Sequence, residues 1–168
     1  MTDLGEISHY LGMQIVRDRK NRTIYINQTS YISKILKRFG MEDCTAVATP
    51  MDPKIKLETR KSKAPADRQL YQELIGSLIY AMIGTRPDIA FPVQKLSQFC
   101  SDPSVKHMQA AKRVLRYLQG TKSLGIVYGR LDQKLHGYAD ADYAGDVDNA
   151  KSTGGYIFLI GGGSICWE

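Results

Sequence analysis

The stretch VKHMQAAKRVLRYLQG at residues 105–120 determines how the middle of the chain folds. Its apolar side chains recur at helical spacing and predict a helix over 105–118 with one face toward a core. Ser104 can cap this helix, and Gly120 ends it. The stripe consists of Val105, Met108, Ala111, Leu115 and Leu118. Basic side chains off the stripe could follow a phosphate backbone or form an ordinary solvated face: Lys106, Lys112, Arg113 and Arg116.

Two more helical segments precede this one and extend the helical middle over 69–121. Residues 71–83 are rich in Leu, Ile, Tyr and Met at helical spacing, and the pattern resumes over 89–100 after a break at Thr85–Asp88. Residues 44–68 contain two closely spaced prolines and then a charged run. We expect them to form an extended or mobile linker.

Both ends of the chain predict strands. Alternating aliphatic residues over 11–16 and 24–26, with a polar turn between them, predict a hairpin. A helix follows, because Ile32, Ile35, Leu36 and Phe39 lie at helical spacing and Gly40 suits its end. The opposite face of that helix carries Lys34, Lys37 and Arg38, which are candidate contacts to a nucleic acid. Runs at 124–128, 135–141, 155–160 and 164–167 predict an antiparallel meander. The predicted fold class is therefore α+β.

Charge is distributed unevenly along the 168 residues. Residues 1–60 carry 10 Lys and Arg against 7 Asp and Glu, residues 61–130 carry 11 against 4, and residues 131–168 carry 2 against 6. A basic body attracts polyanions, and a carboxylate cluster can hold the metal ions of a nuclease. A solvated basic surface with an acidic end is the simpler alternative. Three scattered cysteines and no secretory signal indicate a reducing compartment.

The acidic residues concentrate between 138 and 148. Asp140 ends a predicted strand, Asp142 follows two residues later on the same face, and Asp146 and Asp148 belong to the next loop. Two-metal nucleases need three or four converging carboxylates, so Asp140 and Asp142 are candidate metal ligands. A solvated cap or Asx-turn is the alternative for an Asp-x-Asp pair near a turn.

Short motifs in a fixed order resemble the Pol polyprotein of copia-type LTR retrotransposons along essentially the whole chain. Each motif is weak alone, but their shared order is specific. They include Asp3-Leu4-Gly5-Glu6, Tyr10-Leu11-Gly12-Met13, Gly76-Ser77-Leu78-Ile79-Tyr80, Thr85-Arg86-Pro87-Asp88-Ile89-Ala90-Phe91, Leu115-Arg116-Tyr117-Leu118-Gln119-Gly120-Thr121, Tyr138-Ala139-Asp140-Ala141-Asp142-Tyr143-Ala144-Gly145-Asp146 and Lys151-Ser152-Thr153-Gly154-Gly155-Tyr156.

The resemblance implies a division of the chain. Residues 1–43 would be the end of the reverse transcriptase palm and the start of the thumb, with Leu11, Gly12 and Met13 in the primer-grip hairpin that contacts nucleic acid. Residues 44–68 would be a linker, 69–121 the thumb-to-connection region, and 122–168 a truncated RNase H-like domain with an incomplete antiparallel sheet. Asp140 matches the first catalytic aspartate of that domain.

The resemblance also implies what is missing. The polymerase Tyr-x-Asp-Asp motif and the later RNase H carboxylates have no counterparts, so we expect a fragment that is inactive alone. Its parent would use Mg²⁺ or Mn²⁺, and no tight metal binding is expected here. The expected partners are an RNA–DNA hybrid or template–primer duplex and the rest of the polyprotein, and no membrane contact is expected. The expected location is cytoplasmic, in virus-like particles, and entry into the nucleus is left open. Alternatives are a non-catalytic nucleic-acid-binding fragment and an inert open-reading-frame remnant.

Overall fold

Four helices and two antiparallel sheets make up the part of the chain that the computed structural model describes, residues 5–58, 64–129, 134–142 and 152–168. The helices are α1 (Thr29–Arg38), α2 (Arg68–Gly84), α3 (Ala90–Ser97) and α4 (Val105–Gly120), with a 3₁₀ turn over Pro87–Ile89. The strands are β1 (His9–Tyr10), β2 (Met13–Asp18), β3 (Thr23–Asn27), β4 (Gly125–Tyr128), β5 (His136–Ala141), β6 (Gly154–Ile160) and β7 (Gly163–Trp167). No helix among these residues is both long and apolar enough to span a bilayer.

The hydrophobic core lies between the four helices. Each helix contributes the aliphatic residues of one face, as the helical period requires. Tyr71 is buried among them and donates a hydrogen bond from its hydroxyl to the Leu96 carbonyl at 2.8 Å. The fully buried aliphatic side chains include Ile32, Leu36, Leu74, Ile75, Leu78, Val93, Leu96, Val114, Leu115 and Leu118.

The helix ends follow from local sequence. Gly40 adopts a positive φ of 63° after α1, and the backbone N–H groups of Gly40 and Met41 bond to the carbonyls of Lys37 and Leu36. This pair of bonds is the Schellman motif. Ser104 caps α4 in a reciprocal capping box with His107.

The buried stripe of α4 differs from the predicted one at its first turn. Val105 is 43% exposed, whereas His107 is buried. The His107 ring stacks on Phe99 with 4.0 Å between ring centroids, and its Nδ1 accepts the capping-box bond from the Ser104 N–H. Histidine therefore takes the inward position at the start of this helix.

The first sheet joins distant parts of the sequence. Its order is β1-β2-β3-β4, all antiparallel, and Ile126 of β4 lies opposite Ile26 of β3. The prediction that strand 124–128 begins the C-terminal meander was wrong, because its partner is the free edge of the N-terminal hairpin. The second sheet has the order β5-β6-β7.

Residues 42–58, which we call the strap, lie along α4 without regular secondary structure. Leu57 is buried, and Met51 and Ile55 pack against the helical core. Between the extended and the mobile linker expected for 44–68, these contacts favour the extended one for residues 44–58, which belong to the strap. Its few apolar residues anchor it to the core, although its composition is mainly polar. Residues 59–63 lie outside the described part of the chain.

Candidate nucleic-acid interface

The turn between β1 and β2 presents an apolar side chain to solvent. Leu11 and Gly12 both have positive φ angles, 46° and 73°, and Tyr10 pairs with Met13 across the turn. Two successive residues of positive φ are typical of a type I′ hairpin turn. The Leu11 side chain is 66% exposed. Its carbonyl accepts a hydrogen bond from the hydroxyl of Tyr80 on α2.

Helix α1, which packs against strand β2 of this hairpin, carries a basic face. Its inner face is buried, and its outer face is exposed at Lys34, Lys37 and Arg38. Arg38 forms an ion pair with Glu73 of α2 at 2.7 Å. Within the described part of the chain, the side chains of Lys34 and Lys37 have no hydrogen-bond or ion-pair partner. Their ammonium groups are therefore available to an anion.

The basic residues of α4 are mostly engaged by the strap. Lys106 Nζ donates to the Lys56 carbonyl at 2.6 Å, and Arg116 Nε donates to the Thr45 carbonyl at 2.7 Å. Arg113 Nη2 donates to the Thr49 hydroxyl at 2.9 Å. Lys112 is exposed and has no partner among the described residues. Of the four α4 cations singled out as phosphate contacts, three instead hold a segment of the same chain.

Asp140 lies at the end of β5, opposite Gly155 of β6. It lines an open cavity of about 520 Å³ between the second sheet and α3, to which Phe91 and Gln94 also contribute. One of its carboxylate oxygens, Oδ1, accepts a bond from the Ala141 N–H at 2.9 Å.

Asp142 is tied into a local turn beside Asp140. Its N–H donates to the Thr153 carbonyl at 3.0 Å, and its Oδ1 accepts from the Thr153 N–H. In residues 5–58, 64–129, 134–142 and 152–168, no three His, Cys, Asp or Glu side chains form a group that could hold a metal ion. Asp146 and Asp148 lie outside these ranges. The described residues therefore do not form a metal centre by themselves.

The sequence analysis did not predict that Arg86 is buried in an ion pair. Arg86 is 1% exposed and donates to both carboxylate oxygens of Asp88, from Nε at 2.9 Å and from Nη2 at 2.7 Å. It also donates to the carbonyl and hydroxyl oxygens of Thr121, at 3.0 and 2.7 Å. These bonds fasten the break between α2 and α3 to the end of α4, which makes the role structural.

The charge of Arg86 controls the protonation of Asp88. Burial alone would raise the pKa of the Asp88 carboxyl. The hydrogen bonds and positive charge of Arg86, with a further bond from the Tyr117 hydroxyl at 2.8 Å, outweigh burial and hold that pKa below its usual value. The sequence Arg86-Pro87-Asp88 could have indicated this pair, because it places an arginine and a carboxylate two residues apart, and a bidentate pair needs the two charges close together.

Comparisons with known proteins connect this architecture to one family. Residues 1–53 match the family described as Reverse transcriptase (RNA-dependent DNA polymerase). The retrovirus-related Pol polyprotein from transposon TNT 1-94 of Nicotiana tabacum is 42% identical over 174 residues, covering 100% of this chain and 13% of the polyprotein. That from transposon RE1 of Arabidopsis thaliana is 40% identical over 167 residues, covering 99% of this chain and 11% of the polyprotein. No solved structure matches at a significant level.

A shorter relative aligns over most of its own length. An uncharacterized mitochondrial protein of Arabidopsis thaliana is 33% identical over 170 residues, covering 100% of this chain and 69% of that protein. Similarity thus extends along all 168 residues, whereas the chain spans only a small share of the length of the Pol polyproteins. The chain belongs to the copia-type retrovirus-related Pol polyproteins of transposons and corresponds to a segment of them.

Proposed function

We propose that this segment holds nucleic acid for a retrotransposon Pol polyprotein and does not catalyse a reaction by itself. The observation that carries the proposal is that α1, whose Lys34 and Lys37 side chains are available, packs against β2 of the hairpin that presents the exposed Leu11–Gly12 turn. In the intact polyprotein the hairpin would contact the primer terminus of a template–primer duplex. Helix α1, as the start of the thumb, would contact its phosphates.

The basic face of α1 supports this role better than that of α4. The ammonium groups of Lys34 and Lys37 have no partner among the described residues, so binding a phosphate breaks no existing interaction. A phosphate at Lys106, Arg113 or Arg116 would compete with the strap for the same donor groups. Each lysine that neutralises a phosphate releases counterions, which makes binding depend on salt.

The second sheet supports a separate role in the parent polyprotein. We propose that β5, β6 and β7 form the opening part of an RNase H-like domain whose Asp140 becomes a metal ligand when further carboxylates are supplied. Such domains place Mg²⁺ or Mn²⁺ to activate water against the RNA strand of a hybrid. In this chain, Asp140 and Asp142 lie on one open cavity but do not amount to a metal centre among the described residues.

Fluorescence anisotropy with a labelled RNA–DNA hybrid tests the binding role. We expect the logarithm of affinity to fall linearly with the logarithm of salt concentration. The double variant Lys34→Ala/Lys37→Ala should reduce the magnitude of that slope by roughly 1.5–2, because two phosphate contacts are lost. Lys54→Ala, an exposed strap residue, is the control for loss of a charge. A slope near zero for the wild-type chain would refute the proposal. So would a control variant, Lys54→Ala, that reduces the slope by as much per lost charge as the double variant does.

A nuclease assay tests the claim that the chain is inactive alone. The chain with Mg²⁺ or Mn²⁺ and a hybrid substrate should release no RNA fragments above background. Cleavage that disappears in Asp140→Asn would overturn this claim and establish a complete active site in the chain.

A further inference from the structure

The Leu11–Gly12 turn is conformationally unfavourable for its sequence. A leucine with a φ of 46° places its Cβ close to the backbone, and this region is rarely adopted by branched or bulky residues. Since the Leu11 side chain is largely exposed, burial of that side chain does not compensate for the unfavourable backbone. Contacts from elsewhere in the fold must therefore stabilise the turn.

The contact that the structure shows comes from Tyr80 of α2. Its hydroxyl donates to the Leu11 carbonyl, 69 residues away in sequence. A Cβ added at Gly12 would lie only 3.2 Å from the same hydroxyl oxygen, so the backbone passes directly over it. Glycine at position 12 allows both the positive φ and this close approach.

Tyr80 is itself held in place from two sides. Its ring contacts that of Tyr31 on α1, with 4.7 Å between centroids and 57° between planes. Its backbone carbonyl accepts a bond from Nε2 of the buried Gln28 at 3.4 Å. The turn, the start of α1 and the C-terminal half of α2 are thereby linked through Tyr80.

We propose that Tyr80 is a positioning residue that fixes the Leu11–Gly12 turn against nucleic acid. This inference rests on the proposed function, and it assigns a role to a residue that does not itself need to touch the ligand. An exposed leucine can contact the face of a base at a strand terminus without unstacking two bases, whereas inside a duplex it must pay that cost. A fixed turn should therefore favour a hybrid with a recessed 3′ terminus over a hybrid closed by loops at both ends.

The experiment compares Tyr80→Phe with Tyr31→Phe by anisotropy on these two hybrids. Both variants remove one hydroxyl from neighbouring, contacting rings. The Tyr31 hydroxyl donates to the Ser77 carbonyl at 3.0 Å and does not reach the turn. We expect Tyr80→Phe to reduce the preference for the recessed terminus roughly fivefold, the effect of one hydrogen bond, and Tyr31→Phe to leave it unchanged. Affinity for the closed hybrid and the salt slope should stay the same in both.

A second measurement follows the turn directly. The backbone amide of Gly12 in an NMR spectrum should become more mobile in Tyr80→Phe and keep its wild-type order in Tyr31→Phe. A wild-type chain that binds no hybrid overturns the proposed function and this role with it. A wild-type chain that binds both hybrids equally, a Tyr80→Phe variant with an unchanged preference, or an equal effect of both variants overturns the role of Tyr80 alone.

Discussion

Replacing the buried Arg86 by methionine should strongly destabilise the fold. Arg86→Met keeps a long side chain but removes all five hydrogen bonds that the guanidinium donates to Asp88 and Thr121. Removing one partner of a buried ion pair costs about 3–5 kcal/mol, because the other charge stays behind unpaired. The Asp88 side chain is 33% exposed, so water can solvate part of its charge. We therefore expect a loss near the lower limit, about 3 kcal/mol in the free energy of unfolding.

Urea unfolding followed by circular dichroism at 222 nm measures this loss, provided that wild type and variant have equal slopes. The double variant Arg86→Met/Asp88→Asn is the matched control, because it also neutralises the abandoned carboxylate. It should recover about 1 kcal/mol relative to the single variant. A loss below about 1 kcal/mol for Arg86→Met, or no recovery in the double variant, would show that this ion pair does not fasten the helices together.

Three further predictions concern pH, the strap and a glycine. The pKa of Asp88 is lower in the folded state than in the unfolded state, where it is about 3.9, so ionised Asp88 stabilises the fold above that pH. This contribution is lost as the pH falls through the pKa of the folded state. Melting temperatures measured from pH 5 to pH 3 should therefore fall more in the wild type than in Asp88→Asn. Arg116→Met should lower the free energy of unfolding by about 1 kcal/mol and speed tryptic cleavage of the strap, and unchanged cleavage would contradict the strap contacts. Gly84→Ala should destabilise by roughly 1–3 kcal/mol in chemical denaturation, because its Cβ would lie 2.6 Å from a buried side-chain nitrogen. Gly76→Ala, with open space around it on the same helix, should stabilise by about 0.5–1 kcal/mol, and the same sign for both would refute the steric argument.

Local elements follow from the sequence where one period dominates. The apolar spacing at 105–118 predicts a helix, and α4 occupies Val105–Gly120. The pattern at 124–128 likewise predicts a strand, but a strand's own side chains do not specify its partner. The pairing of β4 with β3 depends on the edge that the hairpin leaves free, and Ile126 of β4 pairs there with Ile26 of β3.

Features that depend on tertiary contacts are harder to predict. A charged run predicts an extended or mobile linker, whereas Met51, Ile55 and Leu57 pack part of it against the core as the strap. Sequence reasoning treats Arg86 only as part of a helix break, since composition assigns arginine to the surface and cannot show a partner such as Thr121. The lysines of α1 are available to a ligand, whereas most basic side chains of α4 are bonded to the strap. The sequence does not distinguish these two groups, because it does not show where the strap lies.

The hydrogen bonds between α4 and the strap go largely to the main chain of the strap. Carbonyl oxygens of Glu42, Thr45 and Lys56 accept bonds from α4, from Gln119, Arg116 and Lys106 respectively. A carbonyl is supplied by every amino acid, so these positions of the strap can change identity during the divergence of a transposon without losing the bond. The position of the strap therefore depends on the donor side chains of α4, Lys106, Arg116 and Gln119, which must keep their length and spacing.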